Sequence, residues 1–196
     1  MGYAKSEETK RKLVRTMTRL LHTQGYHATG ISQILKESGV GKGSLYHHFP
    51  GGKTELAVAA VVRANEVMTG SIAEFAEQAN HDAAGTVRLF CNFFINYLLQ
   101  NNYQRGAPIS LTTLDAAATV DEIQEQVEIG YKWIIELVQD LLMRKGVDAE
   151  TAYRLGNVTL SAVEGALVVS VARRSIEPLE IVRDHLIEQL TVQLTE

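Results

Sequence analysis

The run Gly41-Lys42-Gly43-Ser44, with Tyr46 and His48 behind it and Lys53 beyond, carries the plainest chemistry in this 196-residue chain. That chemistry is non-covalent. Small residues at the start of a helix let the backbone come close to base edges, and the free N–H groups there attract phosphate. Tyr46 and His48 have polar tips that reach phosphate, and Lys53 brings a cation to a second phosphate position. Leu45 and Phe49 supply the apolar anchors between them. Gly39 gives a turn its backbone freedom, and Val40 after it can bury between two helices.

Other chemistries fit the residues less well. His22, His27, His47 and His48 raise the idea of a metal site, but adjacent histidines on a helix diverge by about 100° and no carboxylate stands beside them at ligand spacing. Gly51-Gly52-Lys53-Thr54 has the tail of a nucleotide-binding loop without its upstream glycine or a preceding strand. The single cysteine, Cys91, excludes a disulfide within the chain and a paired-cysteine zinc site, and it reads as a small buried hydrophobe. No nucleophile, base and orienting group share a spacing that would make an enzyme. No catalytic residue, metal or cofactor is expected.

Charge supports the phosphate reading. Residues 1–53 hold nine Lys and Arg against three acids, a balance of +6, and residues 54–196 a balance of −10, so the overall −4 hides a basic end and an acidic one. A polyanion would approach the first and avoid the second. The apolar run through Ala57 to Val62 falls far short of the ~20 residues of a membrane span, and no apolar stretch follows the first charges at the N-terminus. A cytoplasmic protein with no membrane partner is expected.

The groups at 41–53 need two short helices and a tight turn to position them. Thr29 or Gly30 starts a segment with Ile31, Ile34 and Leu35 inward that stops at Ser38-Gly39, and a second runs from about Lys42 to His48 and closes at Pro50-Gly51-Gly52. Before them Ser6 caps a helix with Leu13, Met17, Leu20 and Leu21 inward and Lys12, Arg15 and Arg19 outward, ending at Gly25. This is a helix-turn-helix unit for DNA in outline. Helical spacing continues to the end, with no sustained two-residue alternation, so the fold class is all-α. Helices are expected over Thr54 to about Ala79, Thr86 to Gln100, a short piece after Gly106-Ala107-Pro108 reaching Ala117, Val120 to Arg144, and Ala149 to Arg173. A last helix has Pro178 in its first turn.

The stretch Gly25-Tyr26-His27-Ala28-Thr29-Gly30-Ile31-Ser32-Gln33-Ile34, then Ser38-Gly39-Val40-Gly41-Lys42-Gly43-Ser44-Leu45-Tyr46-His47-His48-Phe49 and Lys53-Thr54-Glu55-Leu56, resembles the signature of the TetR family of transcriptional repressors. Carried over residue by residue, the resemblance makes Thr29, Lys42, Ser44, Tyr46, His48 and Lys53 the DNA-contacting set, with Gly43 among them at the helix start. Gly30 stands where the family often has a second hydroxyl. Phe49-Pro50-Gly51-Gly52-Lys53 replaces the commoner polar loop, as in a subgroup associated with drug-efflux and aromatic-compound genes. The resemblance also implies an N-terminal three-helix head at 1–52, followed by a larger helical effector-binding and dimerisation domain at 53–196.

Aromatic residues gather in the acidic part. Phe90, Phe93, Phe94, Tyr97 and Trp133, with Phe75, Tyr131 and Tyr153, read as core on spacing alone. The resemblance implies a small-molecule pocket among them, for which Phe90, Phe93, Phe94, Tyr97 and Trp133 are the candidates and Asn92, Asn96, Gln100, Thr112 and Glu136 possible polar partners. A stripe of Leu155, Val158, Ala162, Ala166 and Val169 and another of Leu179, Val182, Leu186, Leu190 and Leu194 predict a homodimer interface. The expected protein is a ligand-responsive regulator, a repressor that binds a palindromic double-stranded operator as a dimer and is released by a small apolar or aromatic effector. The alternative is a helical ligand-binding or interaction protein with no regulatory DNA binding.

Overall fold

The computed structural model describes residues 2–103 and 108–192, and every regular element among them is helical. The elements are α1 (Gly2–Gln24), α2 (Ile31–Ser38), α3 (Lys42–His48), α4 (Lys53–Gln78), α5 (Ala83–Gln100), α6 (Pro108–Thr112) running into a π turn (Thr113–Ala117), α7 (Asp121–Met143), α8 (Ala149–Arg173) and α9 (Glu177–Val192). They pack as two compact units: residues 1–66 with 108–128, and residues 67–107 with 129–196. This partition by packing differs from the functional division expected at 52/53.

In the first unit, α1 buries Leu13, Met17, Leu20 and Leu21 against α2, α3 and α6. Ile34, Leu45, Phe49, Leu56 and Val61 complete the core. Each fully buried aliphatic side chain contributes about 1.5–3 kcal/mol, enough to hold helices as short as α2 and α3 that would not persist alone. The segment 108–128 adds Thr112, Ala116, Ile123 and Val127, all buried. Asn65 near the end of the unit's part of α4 donates to the Gln126 carbonyl at 2.7 Å.

In the second unit, α5 packs on α9 and α8, and α8 on α9. Phe90, Phe94, Leu98, Leu141, Leu142, Val163, Leu167, Leu179, Leu186 and Leu190 fill one continuous core. An 18-residue window of α4 and another of α8 reach mean hydropathies of 1.3 and 1.5, so the absence of a long apolar run does not by itself exclude a span. Both helices carry buried polar side chains, Asn65 on α4 and Thr159 and Ser170 on α8.

Two helix starts and one turn stand out against expectation. α1 starts at Gly2, with Ser6 inside it, because Ala4, Lys5, Glu7 and Glu8 are all good helix formers. α5 starts at Ala83, three residues early, since the Asp82 carboxylate accepts the Gly85 N–H at 2.7 Å and caps the helix. The π turn has no periodic signature in sequence. Gly106 and Ala107 of the expected chain break, and Leu194 of the last apolar stripe, lie outside the described residues.

Candidate nucleic-acid interface

Gly39 closes α2 at φ 66°, the left-handed region that glycine enters without strain, and its N–H donates to the Leu35 carbonyl at 3.0 Å. Val40 is buried next to it and Gly41 opens α3. The turn therefore sends the chain back over the α1 core with the outer side of α3 free. Lys42, Gly43, Ser44 and Tyr46 are all exposed, and a Cβ added at Gly43 would meet open space. His48 is half-buried, its ring edge-on to His47 at 5.1 Å. Of the α3 residues named from sequence, Lys42, Gly43, Ser44 and Tyr46 are thus accessible to solvent and His48 partly so.

Lys53, the first residue of α4, is more constrained. Its ammonium lies 4.0 Å from the centroid of the Tyr26 ring, a cation–π distance, and the Tyr26 hydroxyl is 2.9 Å from Thr54 Oγ1. Partial burial pulls the Lys53 pKa below the ordinary lysine value, while the negative charge of Asp115 works in the opposite direction.

Thr29 is placed differently from what the resemblance implies. It is 1% exposed, and its hydroxyl donates to the Gly25 carbonyl at 2.6 Å. That hydroxyl stitches the turn between α1 and α2 and presents nothing to a phosphate. Of the basic stripe on α1, Lys12 and Arg15 are exposed, but Arg19 is bonded to Glu37. Tyr26, Glu37 and Asp115 are the residues that sequence reading missed; Tyr26 carried a signal, an aromatic directly after the turn glycine.

In the second unit the aromatic candidates come together by ring contact. Phe90 and Phe94 meet at 5.1 Å, Phe93 and Phe94 at 5.2 Å, and Phe93 stacks on Tyr97 at 6.4 Å. Phe90 and Phe94 are buried, whereas Phe93 is 39% exposed, and Trp133 packs partly buried on the same core. Of the polar candidates, Asn92 accepts from Arg183 at 3.0 Å, Glu136 pairs with Lys132, and Thr112 belongs to the first unit. A cavity of about 10 Å³ lies in the first unit among Thr18, Leu21, His22, Ala60, Val61, Ala64 and Thr112, room for one water. Burial pushes the Cys91 thiol up to about 12, so it is unreactive at neutral pH. Among the described residues no group of His, Cys, Asp and Glu is arranged to hold a metal.

The dimer stripes need correction. Ala166, Leu186 and Leu190 are buried within the single chain, the last at 0% exposure, because α5, α8 and α9 of one protomer consume them. Leu155 and Ala162 are partly buried and Val158 is exposed. The apolar side chains that α8 and α9 leave outside are Tyr153, Val158, Val168, Val169 and Ile181.

Known proteins share this arrangement. Residues 13–60 match the family described as bacterial regulatory proteins, tetR family, and residues 83–185 match the C-terminal domain described as transcriptional regulator LmrA/YxaF-like. The HTH-type transcriptional regulator LmrA of Bacillus subtilis is 31% identical over 179 residues, spanning 91% of this chain and 93% of its own. YxaF of the same organism is 30% identical over the same shares. A TetR transcriptional regulator from Chloroflexus aurantiacus, 26% identical, superposes with a TM-score of 0.79 over 96% of each chain. At 18% identity, regulatory protein TetR from Rhodobacter sphaeroides has the same fold, with a TM-score of 0.79 over 91% of this chain and 96% of its own. These relatives are regulators, not enzymes. A basic head with an exposed α3, joined in sequence to an LmrA/YxaF-like helical domain, places the chain in the tetR family of bacterial regulatory proteins, as a DNA-binding transcriptional regulator.

Proposed function

We propose that this regulator is a repressor that binds a palindromic operator as a homodimer in the cytoplasm and is released by a small apolar or aromatic effector. The observation that carries the reading is the exposure of Lys42, Gly43, Ser44 and Tyr46 on α3. Those residues meet base edges and phosphates, with His48 and Lys53 on flanking phosphates. Residues 1–52 then act as the DNA head and 53–196 as the effector and dimer domain.

Phe93, Tyr97 and Trp133 support the effector class, being aromatic and incompletely buried. An effector there would act through α4, the one helix that carries Lys53 at its start and Met68, Ile72 and Phe75 further along. The Phe49-Pro50-Gly51-Gly52-Lys53 loop favours a target among drug-efflux or aromatic-compound genes. The test is an electrophoretic shift on the DNA upstream of the protein's own gene. A specific shift lost in Lys42→Ala, with altered preference among mutated sites in Ser44→Ala, is the expected result. Unchanged affinity and preference in both variants would remove α3 from the major groove.

A further inference from the structure

Asp115 lies on the π turn, outside the helix-turn-helix segment, yet its carboxylate is bonded to that segment. Its Oδ2 accepts the backbone N–H of His27 at 2.9 Å. A Cβ built on Gly25 would stand 2.7 Å from the same oxygen, so the carboxylate occupies the room that any other side chain would take. Gly25 is also at φ 79°, a backbone conformation that favours glycine, and a side chain there would have to displace the Asp115 carboxylate. Four residues further on, Thr119 Oγ1 lies 3.1 Å from His27 Nε2. The turn at 25–27 is thus gripped from the segment 108–128.

The same turn grips Lys53. Tyr26, between Gly25 and His27, presents its ring 4.0 Å from the Lys53 ammonium and its hydroxyl to Thr54. A shift of the turn would move that ring, and the ammonium would lose its seat. The carboxylate's position depends in turn on the π geometry at Thr113–Ala117. Such a turn holds one residue more than an α turn and marks functional sites often; relaxing it would rotate the side chains by about 100° per residue. The chain on either side of 108–128 belongs to the second unit, so the residue that grips the turn arrives on chain that both leaves and re-enters that unit.

We propose that Asp115 is a positioning residue for DNA binding, fixing the Gly25–His27 turn and, through the Tyr26 ring, the place of the Lys53 ammonium. This rests on Lys53 as a phosphate contact. A phosphate contact is independent of sequence, so the probe is a generic duplex of about 30 bp, and the readout is the slope of log affinity against log salt. Lys53→Ala should flatten the slope by about one unit. Asp115→Ala should flatten it equally, and the double variant no further. Asp115→Asn keeps an oxygen for the His27 N–H and should retain the parent slope, with affinity at least as high because an anion near the phosphate is gone. Tyr26→Leu removes the ring together with the hydroxyl that meets Thr54, whereas Tyr26→Phe removes the hydroxyl alone; the first should lose the same unit and the second keep the parent slope, which keeps the test decisive if Asp115→Ala does not fold. A merely structural Asp115 would lower the melting temperature and leave the slope alone. An unchanged slope in folded Asp115→Ala or in Tyr26→Leu, or a second unit lost in the double variant, overturns the proposal. An unchanged slope in Lys53→Ala removes Lys53 from the interface and the proposal with it, a failure told apart because it shows in the lysine variant itself.

Discussion

The Arg19 guanidinium is bonded to the Glu37 carboxylate across α1 and α2, so one cation of the α1 stripe is already neutralised. Hydrogen bonds from Gln33, at 2.8 Å, and from Arg19 hold the Glu37 carboxyl below the usual carboxylate range. Any stability it contributes is present above the ordinary carboxylate pKa and is lost only as pH falls through the depressed value. Glu37→Gln should therefore release Arg19 to DNA, steepening the salt slope by about one unit. The gap between variant and parent should stay constant across neutral pH. A slope identical to the parent's in binding titrations would show that Arg19 faces away from phosphate.

Thr29 separates a fold role from a contact role. Thr29→Val keeps the shape and removes the donor to Gly25, leaving a buried carbonyl without its 2.6 Å partner. A cost of about 1–3 kcal/mol in unfolding free energy is expected, with the salt slope of DNA binding unchanged. Denaturant melts and binding titrations on the same variant decide it. A full-stability variant that lost one unit of slope would restore Thr29 to the DNA-contacting set.

The dimer surface can be told from the core by charge placement. Val158 is 52% exposed and Ile181 61%, so Val158→Lys and Ile181→Lys should leave each protomer folded while charging the face where a second copy would sit. Light scattering should then report monomers, and affinity for a two-half-site operator should fall with it. Leu186→Ala, in the core at 3% exposure, should instead cost about 2–5 kcal/mol of stability. Dimers that persist in both lysine variants would move the interface off α8 and α9.

How far the sequence could be read differs by element. The α2–Gly39–α3 unit was legible because a turn glycine, a buried Val40 and inward Ile34 and Leu45 leave little freedom over so few residues. Long helices were legible from spacing. The π turn was not, since an inserted residue leaves the apolar spacing ambiguous over a single turn. Asp115 was invisible for a related reason: its partner is a backbone N–H 88 residues away, and backbone partners leave no mark on sequence. The stripes at Ala166, Leu186 and Leu190 were seen as apolar faces but assigned to the wrong neighbour. Spacing shows that a face is buried and says nothing of whether one chain or two bury it.

Binding of the proposed effector would have an internal reporter in Trp133, the single tryptophan, which packs on the second unit's core with its side chain partly exposed. The rings of Phe90, Phe93, Phe94 and Tyr97 contact one another in sequence along α5, so a ligand must part side chains that already pack, with the half-open Phe93 the first to yield. An aromatic compound that does so should change Trp133 emission, and the change should weaken in Phe93→Ala and Tyr97→Ala. If the compound also releases operator DNA, it must bind the DNA-incompetent state more tightly, by about 1–3 kcal/mol in a typical coupled system, and the operator must weaken its binding by the same factor. The measurement is a fluorescence titration with and without operator duplex. A releasing compound that left Trp133 emission unchanged and bound both alanine variants as well as the parent would place the pocket away from α5.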